Sequence, residues 1–192
     1  MILVLKIGAA FFIGAIPFAK VAMLGTGIDI TKVGSKNPGF RNVTRVASWW
    51  RAAICLVGDL GKGLFAVWLF GRGETSMALW AIGIASVMGH CWSPFLNFNG
   101  GKGVATTFGV LLYLQPYITL ICLPLYPLLR FLGGKLKFRQ EGAIASLSTT
   151  VAISIIVMAY DLRTGVLALI MLLIVFIRHT SNLREMMAAR QL

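Results

Sequence analysis

A lysine set among three glycines, Gly100-Gly101-Lys102-Gly103, is the part of this sequence best equipped for chemistry. Glycine has no Cβ, so its backbone N–H groups approach an anion closely, and the lysine adds an ammonium at the same point. A helix that begins near Gly103 would add its own N–H groups and dipole, and Thr106 in its first turn would add a hydroxyl. No Ser or Thr follows the lysine, as a nucleotide-binding P-loop requires. The run therefore predicts a phosphate site of another kind. Close helix packing is the alternative for Gly100 and Gly101, but it does not explain Lys102.

Two neighbouring residues could act beside this run. His90 ends the apolar stretch before it, and both a structural role and a substrate role are open for this histidine. Cys91 is more typical of a small apolar core residue than of a nucleophile.

A polar segment at residues 34–45 precedes the second apolar stretch. It combines a hydroxyl, two carboxamides and several cations with turn-forming Gly and Pro residues, and loops carry sites disproportionately. Its candidate binding residues are Ser35, Asn37, Asn42 and Arg45. An ordinary basic turn between two spans is the alternative.

Two more polar groups lie at or within apolar stretches. Asp59 and Lys62 are three residues apart, on one face of a helix, where either charge alone would cost about 2.5–3.5 kcal/mol at mid-membrane. A structural ion pair and a substrate-facing pair remain equally open. His179 and Asn182 would also share a helical face, close after the last apolar stretch.

The composition places these residues in a membrane. Of 192 residues, 58% are hydrophobic and 12% charged, which predicts an all-α integral membrane protein of one domain, residues 1–192. The Lys and Arg residues behind the net charge of +12 lie in short loops, as expected beside an anionic leaflet. This charge does not indicate nucleic-acid binding. The scattered cysteines Cys55, Cys91 and Cys122 predict neither a disulfide nor a metal site. We expect no cofactor and no cleavable signal peptide.

Seven membrane helices fit the apolar pattern, given that about 20 residues cross the hydrocarbon layer. They are expected at residues 2–24, 49–70, 76–88, 104–114, 117–132, 143–160 and 165–177. Gln115-Pro116 separates the fourth helix from the fifth, because proline disfavours a continuing helix. The fourth helix, with eleven residues, is short for a span.

The loop cations predict the orientation, with the N-terminus outside and the C-terminus in the cytoplasm. In this arrangement the outer turns hold only Arg72 and Arg163. The inner loops hold Lys32, Lys36, Arg41, Arg45, Lys102, Lys135, Lys137, Arg139, Arg178, Arg184 and Arg190.

Together the four polar strings resemble the PlsY-type bacterial glycerol-3-phosphate acyltransferases, along nearly the whole chain and in order. Gly-Ser-x-Asn-Pro-Gly-x-x-Asn-Val-x-Arg is matched from Gly34 to Arg45, and Asp-x-x-Lys-Gly from Asp59 to Gly63. Gly-His followed by Gly-Gly-Lys-Gly-Val-Ala-Thr is matched from Gly89 to Thr106. Arg-His-x-x-Asn-hydrophobic-x-Arg is matched from Arg178 to Arg184.

The resemblance implies transfer of a fatty acyl group from acyl phosphate to the 1-hydroxyl of glycerol 3-phosphate, which forms lysophosphatidic acid and phosphate. This would be the first acylation of bacterial phospholipid synthesis, in the cytoplasmic (inner) membrane, with the site near the cytoplasmic face. An upstream enzyme that makes acyl phosphate is an expected partner.

The implied roles fall into three sets. Acyl phosphate would be bound by Gly100, Gly101, Lys102, Gly103, Thr106 and Lys62. Glycerol 3-phosphate would be bound by Ser35, Asn37, Asn42, Arg45, His179 and Asn182. The catalytic residues would be Ser35, Arg45, His90 and Lys102, with Lys62 and Lys102 stabilising developing negative charge.

An acyl phosphate is already activated, so we expect direct attack without an acyl-enzyme. Either a phosphate oxygen or His90 would take the hydroxyl proton. A phosphate or organic-anion transporter is the rival class, although no paired repeat is evident. A lipid-binding scaffold would leave the lysine of the glycine run unexplained.

Overall fold

The computed structural model describes residues 1–138 and 140–188. These residues form helices and the turns between them, with no strand in the described part. The α-helices are α1 (Ile2–Ala15), α2 (Phe18–Ala22), α3 (Phe40–Val46), α4 (Trp49–Phe70), α5 (Ser76–Cys91), α6 (Val104–Leu114), α7 (Pro116–Cys122), α8 (Leu125–Lys135), α9 (Glu141–Tyr160) and α10 (Leu162–Ala188). A short 3-10 helix, Pro94–Leu96, follows α5. The predicted loop cations Arg139 and Arg190 lie outside the described residues.

Six helical stretches in the described part are long and apolar enough to cross a membrane. They are Ile2–Ala22, Trp49–Phe70, Ser76–Leu96, Pro116–Lys135, Glu141–Tyr160 and Leu162–Met186. The seventh apolar helix, α6, has only 11 residues, and α7 begins at Pro116 as predicted. The predicted all-α integral membrane protein is confirmed, with six helices of spanning length in the described part and the short α6 as the seventh apolar helix.

The chain divides into two compact units, Met1–Leu114 and Gln115–Leu192. In the first unit α4 contacts α1, α2, α3, α5 and α6, and in the second unit α9 contacts α7, α8 and α10. The single domain expected from the sequence stays a prediction.

Glycines let the helices of the first unit approach backbone to backbone. A Cβ on Gly14 of α1 would meet the carbonyl of Ser86, and one on Gly89 of α5 would meet the carbonyl of Phe11. Small residues of this kind are how membrane helices gain packing contacts where lipid removes the hydrophobic driving force.

The contact between α4 and α6 is built in the same way. A Cβ on Gly63 would meet the carbonyl of Thr106, and one on Gly109 would meet the carbonyl of Leu60. Gly63 is fourteen residues beyond Trp49, so this contact lies about 21 Å along α4 from its first residue. Thr106 is the third residue of α6, so the first turn of this helix packs against the second half of α4.

The first predicted span is broken at Ile16-Pro17 into α1 and α2, which the sequence analysis missed. Proline cannot donate to the helix ladder, so the carbonyls before it lose their helical partners. Side chains replace them: Ser93 Oγ donates to Ala15 O at 2.6 Å, and Lys62 Nζ donates to Ile16 O at 2.8 Å.

In the second unit α9 packs against both α8 and α10. The buried face of α9 carries hydroxyl side chains, and each donates to a carbonyl one turn earlier in the same helix. These residues are Ser146, Thr149, Thr150 and Ser154.

Candidate active site

The glycine run closes back on the end of α5. Gly100 N donates to Cys91 O at 3.2 Å, and Gly101 N donates to His90 O at 3.1 Å. A Cβ on Gly100 would meet His90 O, and a Cβ on Gly101 would meet His90 Nε2. Both glycines are thus required for close approach to α5, and their N–H groups are used there. Their proposed contact with a phosphate stays a prediction.

The donors that can hold an anion lie slightly later, at the start of α6. Gly103 has φ +82°, a left-handed conformation that glycine adopts without strain. Thr107 N donates to Gly103 O at 2.8 Å as the first hydrogen bond of the helix. The N–H groups of residues 104–106 therefore have no acceptor within the helix and point from its positive end. Lys102 is half-buried beside them.

Thr106 adds a hydroxyl to this helix start. The residue is fully buried, and its Oγ1 has no hydrogen-bond partner in the described part of the chain. A buried hydroxyl without a partner costs about 1–3 kcal/mol, so a ligand oxygen that bonds to it would recover that energy. The combination favours an anion site at residues 102–106.

Behind the run lies a buried cluster of three titratable side chains from α4 and α5. Asp59 Oδ1 lies 2.7 Å from Lys62 Nζ and 3.4 Å from His90 Nδ1. All three residues are at least nine-tenths buried. Cys55 Sγ donates to the second carboxylate oxygen at 3.6 Å. Because a lone charge is costly at this depth, the ion pair is what makes burial of either residue tolerable.

Lys62 is fully engaged by its neighbours. Besides Asp59, its ammonium donates to Ile16 O and lies 5.8 Å from the centre of the Phe18 ring. Only 2% of its side chain is exposed. Asp59 and Lys62 therefore form an ion pair inside the protein, and a contact of Lys62 with acyl phosphate stays a prediction.

Asn42 organises the segment from Ile30 to Arg45. Its Nδ2 donates to Ile30 O at 3.1 Å and to Val33 O at 2.9 Å, and its Oδ1 accepts from Ser35 N at 2.8 Å. Gly34, at φ +58°, lets the amide approach, because a Cβ there would meet Asn42 Oδ1. Asn42 is buried with these three hydrogen bonds, so it positions the segment. Its contact with glycerol 3-phosphate stays a prediction.

The other candidates of this segment face outward. Ser35 and Arg45 are exposed and Asn37 is half-buried, so a solute can reach all three. Just upstream, Thr31 donates its hydroxyl and its amide to the Asp29 carboxylate, at 2.7 and 3.1 Å. These hydrogen bonds lower the pKa of Asp29 and close a local turn.

In the second unit His179 and Asn182 are buried on α10. His179 Nδ1 lies 2.8 Å from Val175 O, so this nitrogen donates, and Nε2 faces Ser146 Oγ at 3.4 Å. Asn182 Nδ2 donates to Gln140 Oε1 at 2.6 Å. The expectation that the two share a helical face is confirmed, and their contact with substrate stays a prediction.

Comparison with known proteins decides the family. The family model for glycerol-3-phosphate acyltransferase matches residues 4–189. The chain belongs to the glycerol-3-phosphate acyltransferase family. A curated glycerol-3-phosphate acyltransferase from Laribacter hongkongensis is 35% identical, over 95% of this chain and 91% of the relative. One from Helicobacter pylori is 33% identical, over 94% of this chain and 90% of the relative.

Solved structures agree with this acyltransferase fold. The crystal structure of PlsY, an integral membrane glycerol 3-phosphate acyltransferase, in its glycerol 3-phosphate form superposes with a TM-score of 0.85. It is 26% identical and covers 98% of this chain and 93% of its own. The lysophosphatidic acid form of PlsY gives a TM-score of 0.84. The acyltransferase class is thereby shown, and the transporter and scaffold alternatives are set aside.

The sequence analysis missed two features of the acyltransferase site. The Asp59–His90 contact joins residues thirty-one positions apart, and no local spacing reveals it. The hydrogen bond from Lys62 to Ile16 O exists because the first helix is broken at Pro17. Pro17 is the sequence feature that could have predicted this break.

Proposed function

We propose that this acyltransferase moves a fatty acyl group from acyl phosphate to the 1-hydroxyl of glycerol 3-phosphate. The hydroxyl oxygen attacks the acyl carbonyl carbon, the bond from that carbon to the phosphate oxygen breaks, and inorganic phosphate leaves with the proton. Lysophosphatidic acid is the lipid product. The observation that carries the proposal is the start of α6, where Lys102 precedes helix N–H groups with no acceptor within the helix and Thr106 has a buried hydroxyl without a partner in the described part of the chain.

The donor phosphate is assigned to this helix start. An acyl phosphate suits this position, because α6 packs against the apolar helix α4 and an attached acyl chain can extend along such helices into hydrocarbon.

The acceptor is assigned to the exposed face of residues 34–45. Ser35, Asn37 and Arg45 offer a hydroxyl, a carboxamide and a guanidinium, which suit a glycerol carrying a phosphate. The family resemblance also implies His179 and Asn182 as ligands of glycerol 3-phosphate, and that role stays a prediction.

The chemistry we propose is a single direct displacement. Aligning two bound reactants can lower the activation barrier by about 7–11 kcal/mol. Acyl phosphate also has a good leaving group already. Lys102 and the N–H groups of α6 stabilise the negative charge that develops as the phosphate departs. No covalent acyl-enzyme is needed.

The hydroxyl proton passes to a phosphate oxygen of the donor in this proposal. His90 is 7% exposed, with Nδ1 facing Asp59 and Nε2 facing Gly101. A general base must come within about 3 Å of the proton it removes. Both ring nitrogens are instead turned toward the protein, so His90 acts as a positioning residue for the glycine run.

We propose the cytoplasmic membrane of a bacterium as the location, with the N-terminus outside and the site near the cytoplasmic face. The basic loops favour this orientation. Trp50 and Trp68, each stacked with an arginine, mark the two ends of α4 in the manner of an interfacial aromatic belt. An acyl-phosphate-producing enzyme would supply the donor.

A single-turnover experiment tests the mechanism. Purified protein is mixed with radiolabelled acyl phosphate, with and without glycerol 3-phosphate, and the protein is analysed for bound acyl groups by mass spectrometry. We expect label only in lysophosphatidic acid, and only when the acceptor is present. An acyl adduct on Ser35 or Cys91 that forms without acceptor and chases into product would refute direct attack.

A Lys102→Ala variant tests the donor site in the same assay. We expect a large rise in the KM for acyl phosphate, because a charge-assisted contact with the phosphate is lost. Full activity at low acyl phosphate concentration would refute the assignment.

A further inference from the structure

The short helix α2 is held at both ends by cations of α4. Lys62 Nζ donates to Ile16 O just before α2. Arg51 Nη1 donates to Ala22 O at 2.6 Å and to Leu24 O at 2.9 Å, just where α2 ends. Eleven residues separate the two cations, about three turns, so they lie on one face of α4.

We infer that Arg51, which lies outside all four polar strings, is a positioning residue for the acceptor segment. This inference rests on the proposed function of residues 34–45. The α2 helix is five residues long, and while Lys20 O and Val21 O accept from backbone N–H groups, Ala22 O at its end accepts from Arg51. A guanidinium at this end satisfies two carbonyls at once and complements the negative end of the helix.

The need for such a clamp follows from the chain beyond Leu24. Gly25 and Gly27 both have positive φ, at +77° and +70°, and open space surrounds the position of a Cβ on either. Two unhindered glycines give this turn little resistance to bending. Arg51 fixes the backbone immediately before it.

A continuous series of contacts leads from Arg51 to Ser35. Ala22 and Ile30 belong to one buried core cluster with Val43 of α3. Ile30 O accepts from Asn42 Nδ2, and Asn42 Oδ1 accepts from Ser35 N. Movement at the end of α2 therefore reaches the backbone of Ser35 through packed side chains and two hydrogen bonds.

Arginine suits this position better than lysine. The guanidinium lies 4.3 Å from the centre of the Trp50 ring, which fixes the plane of the group. Both carbonyls accept from Nη1, and a lysine ammonium in its place would lack the planar stacking on Trp50 that fixes the donor.

Steady-state kinetics of Arg51→Ala and Arg51→Lys in detergent tests the inference. We expect Arg51→Ala to raise the KM for glycerol 3-phosphate about tenfold while the KM for acyl phosphate and kcat stay within about twofold. We expect Arg51→Lys to raise the KM for glycerol 3-phosphate by a smaller factor. If the alanine variant does not fold, the lysine variant alone tests the inference. Arg72→Ala is the matched control, since Arg72 stacks on Trp68 at the opposite end of α4, at 4.7 Å. We expect the control to leave all three constants unchanged.

A Ser35→Ala variant separates this inference from the proposed function. If Ser35→Ala leaves the KM for glycerol 3-phosphate unchanged, the acceptor assignment itself fails. If Ser35→Ala raises that KM but the Arg51 variants do not, the positioning role of Arg51 is overturned. Equal changes in the KM of both substrates in the Arg51 variants would also overturn it, because they would indicate a general structural loss.

Discussion

Asp59 of α4 and His90 of α5 face each other in the interior of the first unit, with 3.4 Å between Asp59 Oδ1 and His90 Nδ1. The same carboxylate oxygen pairs with Lys62 at 2.7 Å. The Asp59 carboxylate thus orients His90, which lies behind Gly101, and neutralises Lys62, which binds the broken first helix. This carboxylate therefore connects the proposed donor site with the proline break.

Removing the carboxylate should destabilise the protein strongly. We expect Asp59→Asn to lower the free energy of unfolding by about 3–5 kcal/mol, because Lys62 would be left as a buried charge without its partner. Thermal unfolding in detergent measures this effect. The double variant Asp59→Leu/Lys62→Met removes both charges and should be more stable than Asp59→Asn. A single variant as stable as the original protein would contradict the structural ion pair.

His90 should matter through position rather than through proton transfer. We expect His90→Ala to raise the KM for acyl phosphate and His90→Asn to retain more affinity, because its amide can still donate to Asp59. The pH profile of kcat should keep its shape in His90→Asn. Loss of one limb of that profile would show that His90 is the general base after all.

Two glycines of α4 should respond oppositely to alanine. A Cβ on Gly61 meets nothing within 4 Å, whereas one on Gly63 would meet the backbone carbonyl of Thr106. We expect Gly61→Ala to be neutral or to stabilise by up to about 1 kcal/mol. We expect Gly63→Ala to lower stability and to raise the KM for acyl phosphate, because α6 must move. Equal behaviour of the two variants would contradict the α4–α6 contact.

Loss of the Asn42 amide should disorder the acceptor segment. Asn42→Ala removes the side-chain partner of Ile30 O, Val33 O and Ser35 N. Of these groups, Val33 O still accepts from Lys36 N. The cost is about 1–3 kcal/mol for each unpaired group that stays buried. We expect lower stability together with faster hydrogen exchange at residues 30–35. Exchange unchanged from that of the original protein would show that the segment holds its shape without Asn42.

Much of the fold could be predicted from the sequence because bilayer thickness sets the length of each apolar stretch. The short α6 and the break at Gln115-Pro116 both followed from the chain. The break at Pro17 was missed because the apolar run continues through it. Hydropathy alone does not show that two carbonyls there are satisfied by distant side chains.

The sequence was sufficient to predict which segments form the candidate site. It was not sufficient to predict the structural role of each residue within them. Glycine at Gly100 and Gly101 is equally consistent with an exposed N–H cradle and with close packing. Only the contacts with His90 show that packing applies. In the sequence Asn42 likewise looks like an ordinary polar loop residue. Its structural role is evident only from its three backbone hydrogen-bond partners.

The donor preference of the purified protein tests the central claim most directly. Glycerol 3-phosphate is offered with acyl phosphate or with acyl-CoA of the same chain length, and lysophosphatidic acid is quantified by mass spectrometry. We predict that the protein forms lysophosphatidic acid from acyl phosphate. We expect the Lys102→Ala variant to form less of this product at low acyl phosphate concentration. Product formed from acyl-CoA as efficiently as from acyl phosphate, or no product from acyl phosphate by folded protein, would contradict the account.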